Sequence, residues 1–438
     1  MSASAPQCRP APHPTYPSSF QGWYAVASLC VAMLLSFTDR LIINLVVDSI
    51  KADLTLNDTQ ISLLQGLGFA LVYVFCGLPA GRLADVTCRR NVIMAGIVIW
   101  SAATIACGLA IGFWSFFLAR LFVGLGEAAL VPTASSLIID CFPAGQRGRA
   151  LGAFSIGGIL GSGVAITIGG YLLSALQAGA IHVGSLSPWR AVIVLCGVSG
   201  FLVLPFLVFL VEPPRQHSAG LLPLRAVLAA LVANSATVLR VAVVVGIVAA
   251  GDYGLMSWFP ALLSRNHGFS AAMVGRMLGL AVSLSGAAAS ICAGMLSDAF
   301  VSRHGVAARV RLMLPCYAIC VACIPLLALG RSGGTVTVAL GLWVFGSVGG
   351  YVIAHTVMQE LVSNEMRATT IAISGISSTV FGLILGPTMV ALTARYVFGS
   401  ESALAPAMAT VAAASITVAF ATMVRPLRRS FLSAPAAP

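Results

Sequence analysis

Twelve apolar runs divide this chain, and their length leaves few folds open. A helix rises about 1.5 Å per residue, so about twenty apolar residues cross about 30 Å of hydrocarbon. Runs of that length fall at 22–47, 60–85, 90–111, 114–140, 148–176 and 188–211, then at 238–263, 271–298, 310–330, 335–361, 368–396 and 402–424. Only 8% of the 438 residues are charged, far below the roughly one quarter that a water-exposed globular surface carries. The expected class is an all-α membrane protein with twelve transmembrane helices.

The stretch 212–237 is richer in proline and less apolar, and it separates two sets of six runs, 22–211 and 238–424. Residues 1–21 and 425–438 read as tails, the first rich in Pro, Ser and Ala and without the apolar core of a signal peptide. Fourteen arginines fall in alternate loops and the carboxyl tail, against Lys51, Arg190, Arg265, Arg331 and Arg395 on the other side. The positive-inside rule then places both termini in the cytoplasm, with the chain in the cell inner (plasma) membrane. This even spacing also accounts for the net charge of +11 without a nucleic-acid partner. Eleven cysteines, scattered mostly through the runs, read as small packing residues.

The halves repeat one another. Asp39 has a counterpart in Asp252, and Gly81 with Asp85 in Gly294 with Asp298, each 213 residues on. Asp140 followed by Arg147 matches Glu360 followed by Arg367, 220 residues on. Parallel repeats of this kind build many transporters, and two pseudo-symmetric six-helix bundles are expected.

Charges inside the runs mark the expected site. Arg120 and Glu127 lie seven residues apart, close to two turns, and so project from one face of the fourth run. An ionisable group in hydrocarbon costs at least ~2.5 to 3.5 kcal/mol, so that face should look inward on a cavity. Counting from Trp23 and Trp114 as interface anchors puts Asp39 and Arg120 at nearly one depth, where they could form an ion pair. Asp39 and Glu127 are the expected proton carriers, with Arg40 and Arg120 attracting an anionic group. Phe69, Tyr73, Phe154 and Tyr351 would line the cavity and suit lipid tails, while Asp252 and His355 are weaker substrate contacts. Arg276 reads as snorkelling to the interface. Glycines at 157, 158, 161 and 163, and at 382 and 386 before Pro387, mark helices able to bend and pack closely.

The loop GLPAGRLADVTCRR, with Gly81, Asp85, Arg89 and Arg90, resembles the signature loop of the major facilitator superfamily. Val86 and Cys88 stand where a basic residue and a glycine are usual. The resemblance implies a cytoplasmic gate that includes these four residues with Asp140, Arg147, Asp298, Glu360 and Arg367. Asp39-Arg40, GLGEAAL around Glu127, DCFPAGQRGRALG, Trp258-Phe259-Pro260 and MRATTIAI are further similar to the spinster branch, over residues 36–396. That similarity implies a polar centre of Asp39, Arg40, Arg120 and Glu127, and a lysophospholipid or sphingosine-phosphate-like substrate moved by alternating access. Here Ser36-Phe37 replaces the branch's usual Asn-aromatic pair.

The expected activity is proton-coupled secondary transport of an amphipathic anion. The alternatives are an organic-anion or sugar-acid symporter, or a multidrug efflux antiporter. No HExxH, GxSxG or phosphate-cradling loop supports an intramembrane enzyme. Neither cofactor nor metal is expected, and the working partners are a lipid-like or small anionic substrate, protons and the bilayer, with the chain acting as a monomer.

Overall fold

The computed structural model describes residues 16–215, 236–304, 311–360 and 373–427, all twelve crossings among them. In chain order these are α1 (Ser19–Leu45), α2 (Asp58–Gln65 continued by Leu67–Val86), α3 (Arg89–Gly108), α4 (Phe113–Glu127 continued by Leu130–Cys141), α5 (Ala144–Gln177) and α6 (Pro188–Phe201 continued by Leu204–Val208). The second half holds α7 (Ala236–His267), α8 (Ala271–His304), α9 (Met313–Leu329), α10 (Gly333–Glu360), α11 (373–397) and α12 (Leu404–Leu427). Eleven are long and apolar enough to span a bilayer, and α9 is a shorter apolar helix. Because successive helices reverse direction, Ser19 and Leu427 lie at the same end of the molecule. That end is called the terminal face below, and the other the distal face.

Local signals start several of these helices. Ser18 and Gln21 exchange hydrogen bonds as a capping box at α1, and Asn57 with Gln60 does the same at α2. Pro143 lies at the start of α5, so the basic segment expected as a loop is helical, and Arg147 and Arg149 occupy its first turns. The connection shrinks to Phe142 and Pro143. The seventh helix likewise outruns its expected bounds, ending at His267.

Within each half the helices pack as a bundle, α1 against α5 and α3 against α6 in the first, α7 against α12 and α9 against α10 in the second. Trp100, Trp258 and Trp343 are among the largest fully buried side chains. In α9, Cys316, Cys320 and Cys323 include one CxxC spacing, but the thiols are free and Cys323 donates to the carbonyl of Cys320 within its own helix. They serve packing there, as small apolar residues do.

The halves touch chiefly along α5 and α8. A side chain on Gly275 would bring its Cβ to 2.6 Å from the Ile166 carbonyl, and one on Gly170 would overlap the carbonyl of Ala271. Backbones this close leave room only for hydrogen, and Thr167 adds a hydroxyl hydrogen bond to the Gly275 carbonyl at 3.2 Å. A second contact joins α2 and α11, where a Cβ on Gly66 would overlap the carbonyl oxygen of Leu383. Part of α11 is π-helical, Ser378–Leu385 and Thr393–Val397, and the first of these stretches packs against α2 and α7. Toward the terminal face, a Cβ at Gly77 of α2 or Gly294 of α8 would meet nothing within 4 Å among the described residues.

These contacts predict opposite outcomes for two glycines of one helix. Gly66→Ala forces α2 from α11 and should destabilise the protein by about 1–3 kcal/mol, whereas Gly77→Ala should be neutral or slightly stabilising. Thermal unfolding of both variants in detergent checks the pair, and equal melting temperatures would contradict it.

Candidate functional site

A buried ion pair forms where α1, α2 and α4 meet. Arg40 Nη2 donates to Glu127 Oε2 at 2.6 Å, and the Ser36 hydroxyl donates to the same oxygen at 2.7 Å. Ser36 and Arg40 are four residues apart and share a face of α1, so one helix presents both donors to α4. Glu127 is 1% exposed. The Arg40 guanidinium lies 4.5 Å from the ring of Phe69, 5.0 Å from Phe37 and 5.1 Å from Tyr73. Aromatic faces that exclude water strengthen such contacts to about 2 kcal/mol. Tyr253 of α7 also stands beside Arg40, so the second half reaches the same group.

Arg120 and Asp39 do not pair. Asp39 instead accepts from the Thr104 hydroxyl of α3 at 3.3 Å, and Arg120 Nε donates to the Leu64 carbonyl at 3.2 Å, beside the break in α2 at Gly66. The expected pairing came from depth alone. Depth does not fix azimuth: Asp39 and Arg40 are adjacent and so point about 100° apart, and Arg40 is the one that faces Glu127. The Arg120 guanidinium lies 5.3 Å from the Phe69 ring, and three atoms of the centre, Arg120 Nη2, Arg40 Nε and Glu127 Oε1, have no hydrogen-bond partner among the described residues.

The other expected lining residues separate into two groups. Phe69 and Tyr73 belong to the centre, through Arg40 and Arg120. Phe154 does not line an opening; it is 3% exposed and packed in the core of the first half, because its face of α5 turns inward. Asp252 contacts neither arginine of the centre, and its Oδ1 accepts from the Trp343 indole of α10 at 2.6 Å. His355 and Tyr351 pair on α10, ring centroids 3.9 Å apart, with His355 Nδ1 3.1 Å from the Tyr351 carbonyl. Tyr351 is 46% exposed and lies within electrostatic reach of Tyr253 of α7.

On the terminal face the signature-loop residues bond within the first half. Arg89, 1% exposed, pairs with Asp140 and with Glu212 (2.8 Å), and also donates to Ser136 and the Pro213 carbonyl. Arg90 donates to Glu212 and to the Val208 and Leu210 carbonyls, and Arg147 to the Ile139 and Phe142 carbonyls. A Cβ at Gly81 would meet Pro132 at 3.8 Å, and the backbone carbonyl of Asp85 accepts from Arg215. Asp298 and Glu360 belong to the second half, and Arg367 lies outside the described residues. Glu212 sits outside the spans: burial alone would raise its carboxyl, but the Arg89 side chain and the Arg90 and Arg89 amides outweigh it and hold it below the ordinary range.

The distal face carries a network that crosses between halves, and the sequence reading missed it. Lys51 bonds Asp58 at 2.8 Å and also Glu401, while Arg265 bonds Asp48 at 2.6 Å and Asp58 at 2.7 Å. Asp48, Lys51 and Asp58 come from the first half, Arg265 and Glu401 from the second. About two turns inward, Gln65 donates to the Ser257 carbonyl across the same seam at 3.1 Å. A signal was available: three acids and two bases at distal helix ends nearly balance in a chain so poor in charge. Burial opposes the charge on Lys51, but bonds from Asp58 and Glu401 hold its ammonium above the usual range.

Two six-helix halves joined by ion pairs at the distal face, with a buried ion pair where α1, α2 and α4 meet, have the architecture of a membrane transporter. The Major Facilitator Superfamily family model matches residues 29–387. The chain belongs to the major facilitator superfamily, in its spinster-like branch, and is not an enzyme. An MFS-type efflux pump of Mycolicibacterium smegmatis is 28% identical over 85% of this chain and 84% of its own length. Human protein spinster homolog 1 is 32% identical over 55% of this chain, which spans 46% of that protein. The crystal structure of a bacterial homolog of the human lysosomal transporter spinster, inward-facing and unoccupied, superposes with a TM-score of 0.79 at 25% identity, covering 93% of this chain and 99% of that one.

Arg265→Gln removes the cation that joins Asp48 and Asp58. Spin labels across the distal seam should then report a broader, longer distance distribution, with the distal-closed population falling several-fold, as loss of about 1 kcal/mol or more requires. An unchanged distribution would show that the glycine contacts alone hold the seam. Glu212 gives a pH test. Its depressed carboxyl contributes stability that is full above the ordinary glutamate value and is lost as pH falls through the lower folded value. The melting difference between wild type and Glu212→Gln should therefore be constant near neutrality and shrink below about pH 4.

Proposed function

We propose that this protein is a proton-coupled secondary transporter of an amphipathic anion, working by alternating access, with both termini cytoplasmic in the inner membrane and the chain acting as a monomer. The observation that carries this reading is the incomplete bonding of the polar centre. A buried guanidinium without an acid partner among the described residues, Arg120, stands beside a second, Arg40, whose acid partner is held through one oxygen. Unmet donors of this kind in a buried site suit a phosphate or carboxylate, and the Phe37, Phe69 and Tyr73 faces suit an apolar tail.

Glu127 supplies the coupling in this reading. While ionised it occupies Arg40 as an internal counter-ion. A proton on Glu127 releases Arg40, which then accepts the anionic headgroup, so proton and anion occupy the centre together. Asp39, held by a single hydroxyl, is the second carrier. In this reading the face held by the Arg265 and Lys51 network is the periplasmic one, and the terminal face is the cytoplasmic one. Rocking about the α5–α8 seam would close the Asp85, Arg89, Arg90, Asp140 and Arg147 face against Asp298, Glu360 and Arg367.

A second reading is efflux of amphipathic drugs, favoured by the length of the match to the mycobacterial efflux pump. The spinster relatives favour a lipid, over shorter matches.

Reconstitution in liposomes with an imposed pH gradient separates these readings, using labelled lysophospholipids, sphingosine phosphate, organic acids and cationic drugs as cargo. Flux of a lysolipid or sphingosine phosphate that collapses with the gradient is expected. Glu127→Gln should keep its fold and lose at least tenfold in gradient-driven flux, and Arg120→Gln should raise the cargo's half-saturation concentration by at least tenfold. Undiminished gradient-driven flux in Glu127→Gln would remove the proton role.

A further inference from the structure

We infer that Asp252 is an additional proton-binding carboxylate, seated in the second half and reached from the terminal face along Ser347, Tyr351 and His355 of α10. The inference rests on the transport reading above and adds a site that reading does not use. Asp252 is partly buried in the middle of α7, and among the described residues no basic side chain pairs with it. Its Oδ1 takes the Trp343 indole N–H at 2.6 Å, and the Ser347 hydroxyl, 3.5 Å from the Val344 carbonyl, stands close to the same carboxylate. The titratable groups around it are Tyr253 on its own helix and Tyr317 and Cys320 on α9. α10 presents Trp343 and Ser347, and Gly251 packs on Trp343 and on Ser415 of α12. None of these is a cation. A carboxylate so placed carries uncompensated charge in a poorly solvated site, and binding a proton removes it. A metal ion fits poorly, because an indole N–H already occupies one oxygen.

The path is written in the spacing of α10. Ser347, Tyr351 and His355 are four residues apart and lie on one face, leading from Asp252 toward the terminal end. Side chains on a helix lean toward its amino end, so the Tyr351 ring leans back toward Ser347 and the His355 ring toward Tyr351, which it touches. The Tyr351 carbonyl only accepts, so His355 Nδ1 is the protonated nitrogen and Nε2 keeps a lone pair for exchange. A proton taken up at Nε2 and passed on leaves the imidazole neutral and turns the Asp252 carboxylate into a carboxylic acid.

Trp343 makes this measurable without any cargo. In purified full-length protein, its emission should titrate with Asp252, isolated as the difference between wild type and Trp343→Phe. The signal should persist in Glu127→Gln and vanish in Asp252→Asn. An indicator dye in weakly buffered solution should count about one fewer proton per molecule taken up by Asp252→Asn over the same pH step. His355→Ala should slow proton uptake after a pH jump several-fold without moving its end point. A Trp343 signal that is absent from wild type, or that survives in Asp252→Asn, overturns the inference. Should Asp252→Asn not fold, Asp252→Glu keeps the carboxyl and must shift the Trp343 midpoint; an unmoved midpoint overturns it equally. Failure of gradient-driven flux alone, with Trp343 still titrating, would count against the transport reading and not against this site.

Discussion

Charge in this molecule is confined by the cost of placing it in hydrocarbon, and the structure depends on how that cost is met. Arg40 and Glu127 meet it by pairing, with Ser36 donating to the same carboxylate oxygen and three aromatic rings covering the guanidinium. Removing one partner of such a pair typically costs about 3–5 kcal/mol, because the other is left uncompensated. That figure explains why the centre persists among apolar helices. It also explains why any event that neutralises Glu127 has consequences beyond its own side chain.

The two faces of the molecule solve a different problem with different means. The distal seam uses charges from both halves, so separating the halves there exposes Arg265 and Lys51 together with three acids. At the terminal face Arg89 pairs with Asp140 and Glu212 of its own half, so those two bonds do not depend on the second half. Between them, glycines on α5 and α8 bring backbones into contact, and a contact made of backbone and hydrogen slides and pivots more readily than interlocked side chains.

Much of the architecture was legible in the residues. Run length fixed twelve crossings, and the offset shared by Asp39 with Asp252 and Gly81 with Gly294 announced two related halves. The site was legible in part. Arg40, Arg120 and Glu127 stood out because hydrocarbon makes each one costly, yet which acid meets which base depends on helix rotation, which depth along a helix does not encode. Asp39 therefore went to Thr104 rather than to Arg120. Phe154 shows a similar limit, since an aromatic on a glycine-rich helix can face either way. The distal network was hidden for another reason: its members are far apart in sequence and individually ordinary. The basic segment at Arg147 was mistaken for a loop because its glycines masked the start of α5.

The meeting of Gly66 with Leu383 gives α2 the proportions of a lever. Gly66 lies eight residues from Asp58 and twenty from Val86, or about 12 Å from one end and about 30 Å from the other. If that contact serves as fulcrum, each ångström of travel at the short arm becomes about 2.5 Å at the long one. The salt-bridged end is then the handle and the signature loop the jaw, and the gearing between them is set by where along α2 the glycine falls.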